Sequence, residues 1–260
     1  MNLIGKVALI TGGASGIGAA CVEEFLKNSV RGVVIADIAD GEQVAKDLGD
    51  KYGCDRVIYV KTDVSQKESF ENAFKETIKK YNNVDVLINC AGIFNEIEWE
   101  RMLRINLVGP TYGCLLAINE YFPKYKSSNE AYIINMSSIA GIVPLSACPH
   151  YASTKHGIVG LTRSLGLNKE INSQGIHIMG LCPGATTTPI MDQKCNVIYA
   201  NVMAEEFSLF IPQTPQVVAE SIIKLLQRKE YGSIWVINDS TLSKGDLPLF
   251  PNMAKILTEA

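Results

Sequence analysis

The sequence predicts an α/β fold, a doubly wound sheet of about seven parallel strands with helices on both faces. Short β-branched runs alternate with longer amphipathic segments along the chain, and strands joined through helices pair in parallel by right-handed crossovers. Of the 260 residues, 47% are apolar, enough for a full core. No linker, repeat or low-complexity tract divides them, so residues 1–260 read as one domain.

The first apolar run, 6–10, is a strand that breaks at Thr11-Gly12-Gly13, too short and too soon interrupted for a signal peptide or membrane span. The turn continues Ala14-Ser15-Gly16-Ile17-Gly18 into a helix over 16–28. Glycines 12, 16 and 18 let the main chain approach a pyrophosphate at the positive end of that helix, with Ser15 and Ile17 as further contacts. A plain strand–helix turn also uses glycine; the place after the first strand singles this one out. Strand 32–36 ends at Asp37-Ile38, 19 residues beyond Gly18. A carboxylate there accepts hydrogen bonds from adenosine ribose hydroxyls and repels a 2′-phosphate, and no Lys or Arg stands at 13–15 or 38. NAD is therefore expected rather than NADP; the plainer reading of Asp37 is a turn or cap residue. A helix over 41–52 leads to strand 56–61, which ends at Thr62-Asp63-Val64, with Asp63 placed for the adenine amino group. After a helix over 66–81, strand 84–89 ends at Asn89-Cys90-Ala91-Gly92, where small residues leave room for the adenosine ribose. Either motif read alone is also ordinary turn chemistry.

A helix over 96–123 carries Asn106, strand 131–136 is followed by Ser138, and a helix over 151–172 opens with Tyr151-Ala152-Ser153-Thr154-Lys155. Tyrosine and lysine four apart share one helix face, with Cβ atoms about 5–6 Å apart. The ammonium, in a partly dry site and helped by the positive charge of a bound nicotinamide, is expected to lower the phenol pKa; bringing it from about 10 to near 7 requires roughly 4 kcal/mol. Ser138 is placed to hold a substrate oxygen against Tyr151, and Asn106 to bond main chain and water behind Lys155. Each has a plainer role singly: surface pair, helix cap, helix-interior polar residue. Strand 175–181 precedes the long segment 185–214, read either as a substrate loop or as cover for the core edge. A helix over 215–227, strand 233–237 and a tail over 238–260 complete the chain. The apolar residues of 185–214 and of the tail suggest a lipid-like secondary alcohol as substrate.

A net charge of −3 offers no footprint for nucleic acid or an anionic membrane. Seven cysteines without a Cys-x-x-Cys pair point to reduced thiols in a cytoplasmic protein, and no metal site is expected. The triplet Asn135-Met136-Ser137 lies on an expected buried strand and is read as a chance glycosylation match.

The ordered set formed by residues 11–18, Asp63, residues 89–92, Asn106, Ser138, Tyr151, Lys155 and Pro183-Gly184-Ala185-Thr186-Thr187-Thr188 resembles the NAD-preferring short-chain dehydrogenases/reductases over essentially the whole chain. The resemblance implies a Rossmann-type sheet, a catalytic tetrad of Asn106, Ser138, Tyr151 and Lys155, and oxidation of a secondary alcohol with Tyr151 as base. It further implies that Lys155 binds the nicotinamide ribose, that Thr186 and Thr188 hold the carboxamide and a nearby phosphate with Pro183 and Gly184 also at the cofactor, and that the protein is a homodimer or homotetramer. Within the family, residues 135–141, 153–160 and 99–108 are most similar to the prostaglandin-oxidising branch, and more distantly to insect alcohol dehydrogenases. That branch carries a glutamine three positions before the tyrosine, to contact the substrate hydroxyl. Cys148 stands there in this chain, a much weaker hydrogen-bonding group, which points away from prostaglandin itself. His150, next to Tyr151, reads either as a partial substitute for that glutamine or, more plainly, as a solvent-facing turn residue. The alternatives are a catalytically silent NAD-binding regulator and an NADPH-dependent carbonyl reductase; the intact tetrad opposes the first and Asp37 the second.

Overall fold

The computed structural model describes residues 3–193, 197–245 and 247. Its single sheet has eight strands in the order β3-β2-β1-β4-β5-β6-β7-β8. Seven are parallel: β1 (Val7–Thr11), β2 (Gly32–Asp37), β3 (Val57–Lys61), β4 (Val86–Asn89), β5 (Ala131–Met136), β6 (Ile176–Pro183) and β7 (Ile234–Asn238). The expected strands all form, with ends displaced by a residue or two. An eighth, β8 (Thr241–Lys244), was not expected; it folds back antiparallel on β7 through a turn in which Asp239 and Ser240 take positive φ. Its short polar sequence lacks the apolar run of a buried strand, because it is an edge strand.

Successive side chains of a strand point to opposite faces, and both faces here are apolar. On β1, Ala8 and Ile10 face a core formed with α1 (Gly16–Lys27), α2 (Glu42–Tyr52) and, later in the chain, the helix Pro215–Arg228. Val7 and Leu9 face the other core, built with α3 (Lys67–Tyr81), a long helical run over 99–125 and part of the helix Pro149–Gly166.

The run over 99–125 differs from one regular helix. It comprises α4 (Trp99–Leu103), α5 (Gly109–Leu116) and α6 (Phe122–Tyr125), separated by π-helical turns at Arg104–Val108 and Ala117–Tyr121. Pro110 and Pro123 follow these turns. Proline has no N–H for the carbonyl four residues back, and Gly109 and Phe122 instead donate five residues back, to Arg104 and Ala117. The expected helix over 151–172 is likewise divided, into α7 (Pro149–Gly166) and α8 (Lys169–Ser173), because the Asn168 side chain caps a new start by accepting from the amides of Glu170 and Ile171. Within 185–214 lie a 3₁₀ turn at Pro189–Gln193 and α9 (Ala200–Ser208); α10 (Pro215–Arg228) follows. The tail beyond 247 lies outside the described residues. Among the described residues no helix is long and apolar enough to cross a membrane. Asn135 is fully buried and bonded to Asn89 and Thr162, in keeping with a chance glycosylation triplet.

At the end of the sheet away from the glycine turn, the buried Asp85 carboxylate accepts from Val7 N (3.0 Å), Lys6 Nζ (3.1 Å), Asn83 Nδ2 (2.6 Å) and both the amide and hydroxyl of Ser127 (2.7 Å each). It ties β1 and β4 to the connection that enters β5. Asp85→Ala leaves the Lys6 ammonium buried without its partner and is expected to lower stability by about 3–5 kcal/mol, with Asp85→Asn losing less; urea unfolding of the two variants checks this.

Candidate active site

Strand order reverses between β1 and β4, so the chain leaves their carboxyl ends in opposite directions and opens a crevice. The Thr11 hydroxyl fixes its floor: it donates to Ile88 O and accepts from the amides of Cys90 (3.0 Å) and Ala91 (3.1 Å). A cleft of about 440 Å³ runs along this edge, and every residue expected to hold cofactor or substrate lines it except Asn89 and Asn106. Asn89 is buried and turns inward, donating to Asn135 Oδ1 at 2.8 Å; its amide braces β4 against β5 instead of facing the cleft.

One end is suited to a dinucleotide. Gly16 has φ +52, and a Cβ there would lie 3.2 Å from Thr188 across the cleft; at Gly18 a Cβ would lie 1.9 Å from the Gly12 carbonyl. Only glycine lets α1 start this close to the turn. Ser15, the N-cap, uses no side chain to cap α1, so the helix presents its first amides to the cleft. At the end of β2, Asp37 accepts from Ala14 N (2.9 Å) and Ala39 N (3.0 Å). These bonds hold the half-buried carboxylate rigid with lone pairs to spare for ribose hydroxyls. Asp63 is held similarly by the amide and hydroxyl of Ser65, and Ile38 is exposed beside Asp37. Opposite, Thr186 donates to Gly184 O and Thr188 to Thr186 O. The residues present fit a dinucleotide with free adenosine ribose hydroxyls.

At the other end Tyr151 and Lys155 project from the first turns of α7. Lys155 Nζ donates to Met136 O at 3.2 Å and stands 5.5 Å from the centre of the Tyr151 ring. Ser138, whose oxygen caps the 3₁₀ turn Ile139–Gly141, lies beside the phenol. Burial raises the Tyr151 pKa well above its ordinary value, while a hydrogen bond with Ser138 opposes it. Burial also brings Lys155 down to about 8. In the absence of a nicotinamide's charge, desolvation outweighs the lysine at the phenol. A lysine that has lost its proton near pH 8 carries no charge where the partly buried phenol would ionise, and desolvation wins. Burial pushes the thiols of Cys90 and Cys148 up to about 12, so both line the cleft as neutral, weak hydrogen-bonding groups.

Asn106 sits in the first π-helical turn and is spent on the main chain: Oδ1 accepts from Ile93 N and Nδ2 donates to Ile93 O, both at 2.9 Å. The expected bonding to main chain is met. A Cβ on Gly92 would lie 3.3 Å from Asn106 Oδ1 and 3.7 Å from Lys155 Nζ, so the amide flanks the lysine. From the segment Asn106 clamps, Phe94 packs edge-on against Tyr151 at 5.1 Å.

Two residues had no sequence signal. Glu96, completely buried, accepts from Tyr151 N (2.7 Å), His150 N (3.1 Å) and His150 Nδ1 (2.8 Å). His150, expected as a solvent-facing turn residue, lies instead in the first turn of α7 on this carboxylate, stacked on Trp99. Gln213 is buried where residues 185–187 pass: its main chain pairs with Ala185 and Thr187, and its amide bonds Ile237 O and Ser240 N. Both act across more than twenty residues of chain, beyond the reach of local pattern. The segment 185–214 contributes Ile190, Met191, Met203 and Phe210 to the cleft, whereas Ile198 and Val202 face outward; of Phe207 the side chain lies outside the described residues. Glu206 of α9 accepts from the amides of Ser146 and Ala147, fastening this segment to the approach to α7.

The family model for short chain dehydrogenases matches residues 6–196. A 15-hydroxyprostaglandin dehydrogenase [NAD(+)] of Rattus norvegicus is 31% identical over 98% of this chain and 99% of its own. Alcohol dehydrogenase 2 of Ceratitis cosyra is 28% identical over 94% and 95%. Among solved structures, a 3-ketoacyl-(acyl-carrier-protein) reductase from Brucella melitensis complexed with NADH superposes with a TM-score of 0.76 at 25% identity, covering 91% of this chain and 98% of that one.

The lowered Lys155 pKa has a sign that can be measured. Between about 8 and the unfolded value the unfolded chain binds the extra proton, so this group makes stability rise with pH across that window. Compared with Lys155→Met, the native protein should gain on the order of 2 kcal/mol between pH 8 and 10, read by urea unfolding of both proteins at the two pH values.

Proposed function

Because the chain belongs to the short-chain dehydrogenase family, we propose that it is an NAD-dependent oxidoreductase that oxidises an apolar secondary alcohol to the carbonyl compound. The observation that carries this reading is the convergence of Tyr151, Lys155 and Ser138 on one cleft whose other end is the glycine turn and Asp37. The relatives named for NAD(+) and for alcohol oxidation support it.

In this reading Ser138 and Tyr151 hold the alcohol oxygen, and Tyr151 removes its proton as the carbinol carbon gives up a hydride. The oxidised nicotinamide, when bound, accepts that hydride and adds a positive charge to the site. The protein's own groups raise the phenol pKa above its ordinary value, and the positive charge of a bound oxidised nicotinamide would act against that. Lys155, titrating at about 8, takes up and releases the proton at working pH. Asn106 holds the segment beneath them, and Asp37 excludes a 2′-phosphate.

The substrate end is apolar: Phe94, Leu145, Ile190, Met191, Met203 and Phe210 line it. Methionine adapts its shape to an extended chain, which favours a lipid-like alcohol over a short one. Cys148 supplies little hydrogen bonding, so the substrate oxygen relies on Ser138 and Tyr151.

Tyr151→Phe is expected to lower kcat by at least about a thousandfold with NAD affinity within about twofold, read by initial rates and by calorimetric NAD titration; near-native turnover removes Tyr151 from the role of base. With NAD saturating, kcat/KM for decan-2-ol should exceed that for propan-2-ol by about a hundredfold or more. Preference for propan-2-ol overturns the apolar assignment.

A further inference from the structure

The start of α7 has no cap of its own. Its N-cap, Cys148, makes no side-chain cap bond, and Pro149 has no amide hydrogen. The first helical N–H groups needing an acceptor are those of His150 and Tyr151, since Ala152 N already bonds Cys148 O. Both are taken by Glu96, one by each carboxylate oxygen, from 54 and 55 residues away in sequence. The carboxylate is fully buried, so solvent does not replace it.

The segment that carries Glu96 also carries Ile93, held through both main-chain groups by Asn106, and Phe94, packed on the Tyr151 ring. Tyr151 is therefore gripped twice by one short stretch, at its amide by Glu96 and at its ring by Phe94. The third bond to Glu96 comes from His150 Nδ1, whose ring is backed by Trp99 at 5.7 Å.

We infer that Glu96 is a positioning residue for the reaction, setting the phenol of Tyr151 through the first turn of α7; the inference rests on Tyr151 being the base. Removal of the carboxylate frees that turn, while the glycine turn and Asp37 that suit the cofactor stay as they are. Chemistry should then suffer without loss of NAD binding, since small misplacement of a reacting group is costly in rate.

Two variants and two readouts test it, with decan-2-ol as the probe alcohol. In Glu96→Ala, hydrogen exchange by NMR at the His150 and Tyr151 amides should accelerate by about tenfold or more while the amides of 158–166 keep their native rates. kcat should fall about a hundredfold with KM for NAD within about twofold. Glu96→Gln keeps one acceptor oxygen and the size of the side chain. It should fold as the native protein does and show intermediate kcat, about five- to twentyfold down, so it decides the matter if the alanine variant is unstable. Native kcat in Glu96→Gln, native exchange at the two amides in Glu96→Ala, or kcat loss matched by an equal rise in KM for NAD overturns the positioning role. Tyr151→Phe, assayed alongside, separates the failures. Turnover that survives it removes the base assignment itself. An inactive Tyr151→Phe beside fully active Glu96 variants removes only the part given to Glu96.

Discussion

The Thr11 hydroxyl accepts the amides at the end of β4 while standing at the end of β1, and the cleft exists because those two strands are neighbours. They are distant in sequence and their connections run to opposite sides of the sheet. Their pairing brings the glycine turn and the 91–94 segment to one edge. Every later addition to the site, from Asp37 on β2 to Ser138 after β5, is measured from that pair. The network around Asp85 secures the same two strands at their far end, so β1 and β4 are fastened at both ends by side chains.

Loss of solvent acts on the Tyr151 phenol and the Lys155 ammonium together. Desolvation favours the neutral form of each, raising one pKa and lowering the other until their order is reversed. A charged pair is thus not the resting condition of the protein alone. Burial makes the site responsive to any charge brought into it, because a charge in a low-dielectric surrounding acts more strongly than in water.

Most of the fold was legible in the sequence because its signals are local. The apolar runs gave seven strands, and the turn at 12–18, Asp37 and the Tyr151–Lys155 spacing placed the cleft. The features without a local signal depend on distant chain or on burial. The Glu96 carboxylate sat inside an expected helix, and nothing near it marks a cap for residue 151. Gln213 has no local pattern at all. Asn89 stands at the carboxyl end of β4 beside the cleft, and alternation along the strand sends its side-chain amide into the core, which the motif alone does not show. The direction in which burial moves the phenol and the ammonium likewise depends on the solvent each loses in the folded chain, which a four-residue spacing does not report.

The two prolines in the long helix bear on how that part of the chain tolerates changes of length. A π-helical turn holds one residue more than an α-helical turn over nearly the same rise. Deleting one residue within 104–108 would let the backbone close into regular helix on either side, with α4 and α5 each still amphipathic. Residues on the two sides of the deletion would keep nearly their present faces, because the wide turn absorbs its extra residue locally, and it is the residues of the turn itself, Asn106 among them, that would be turned away from their present partners. A shortened chain of this kind would be expected to fold and yet carry a loosened 93–96 segment, which makes the bulged turn a means of aiming Asn106 and not a blemish in the helix.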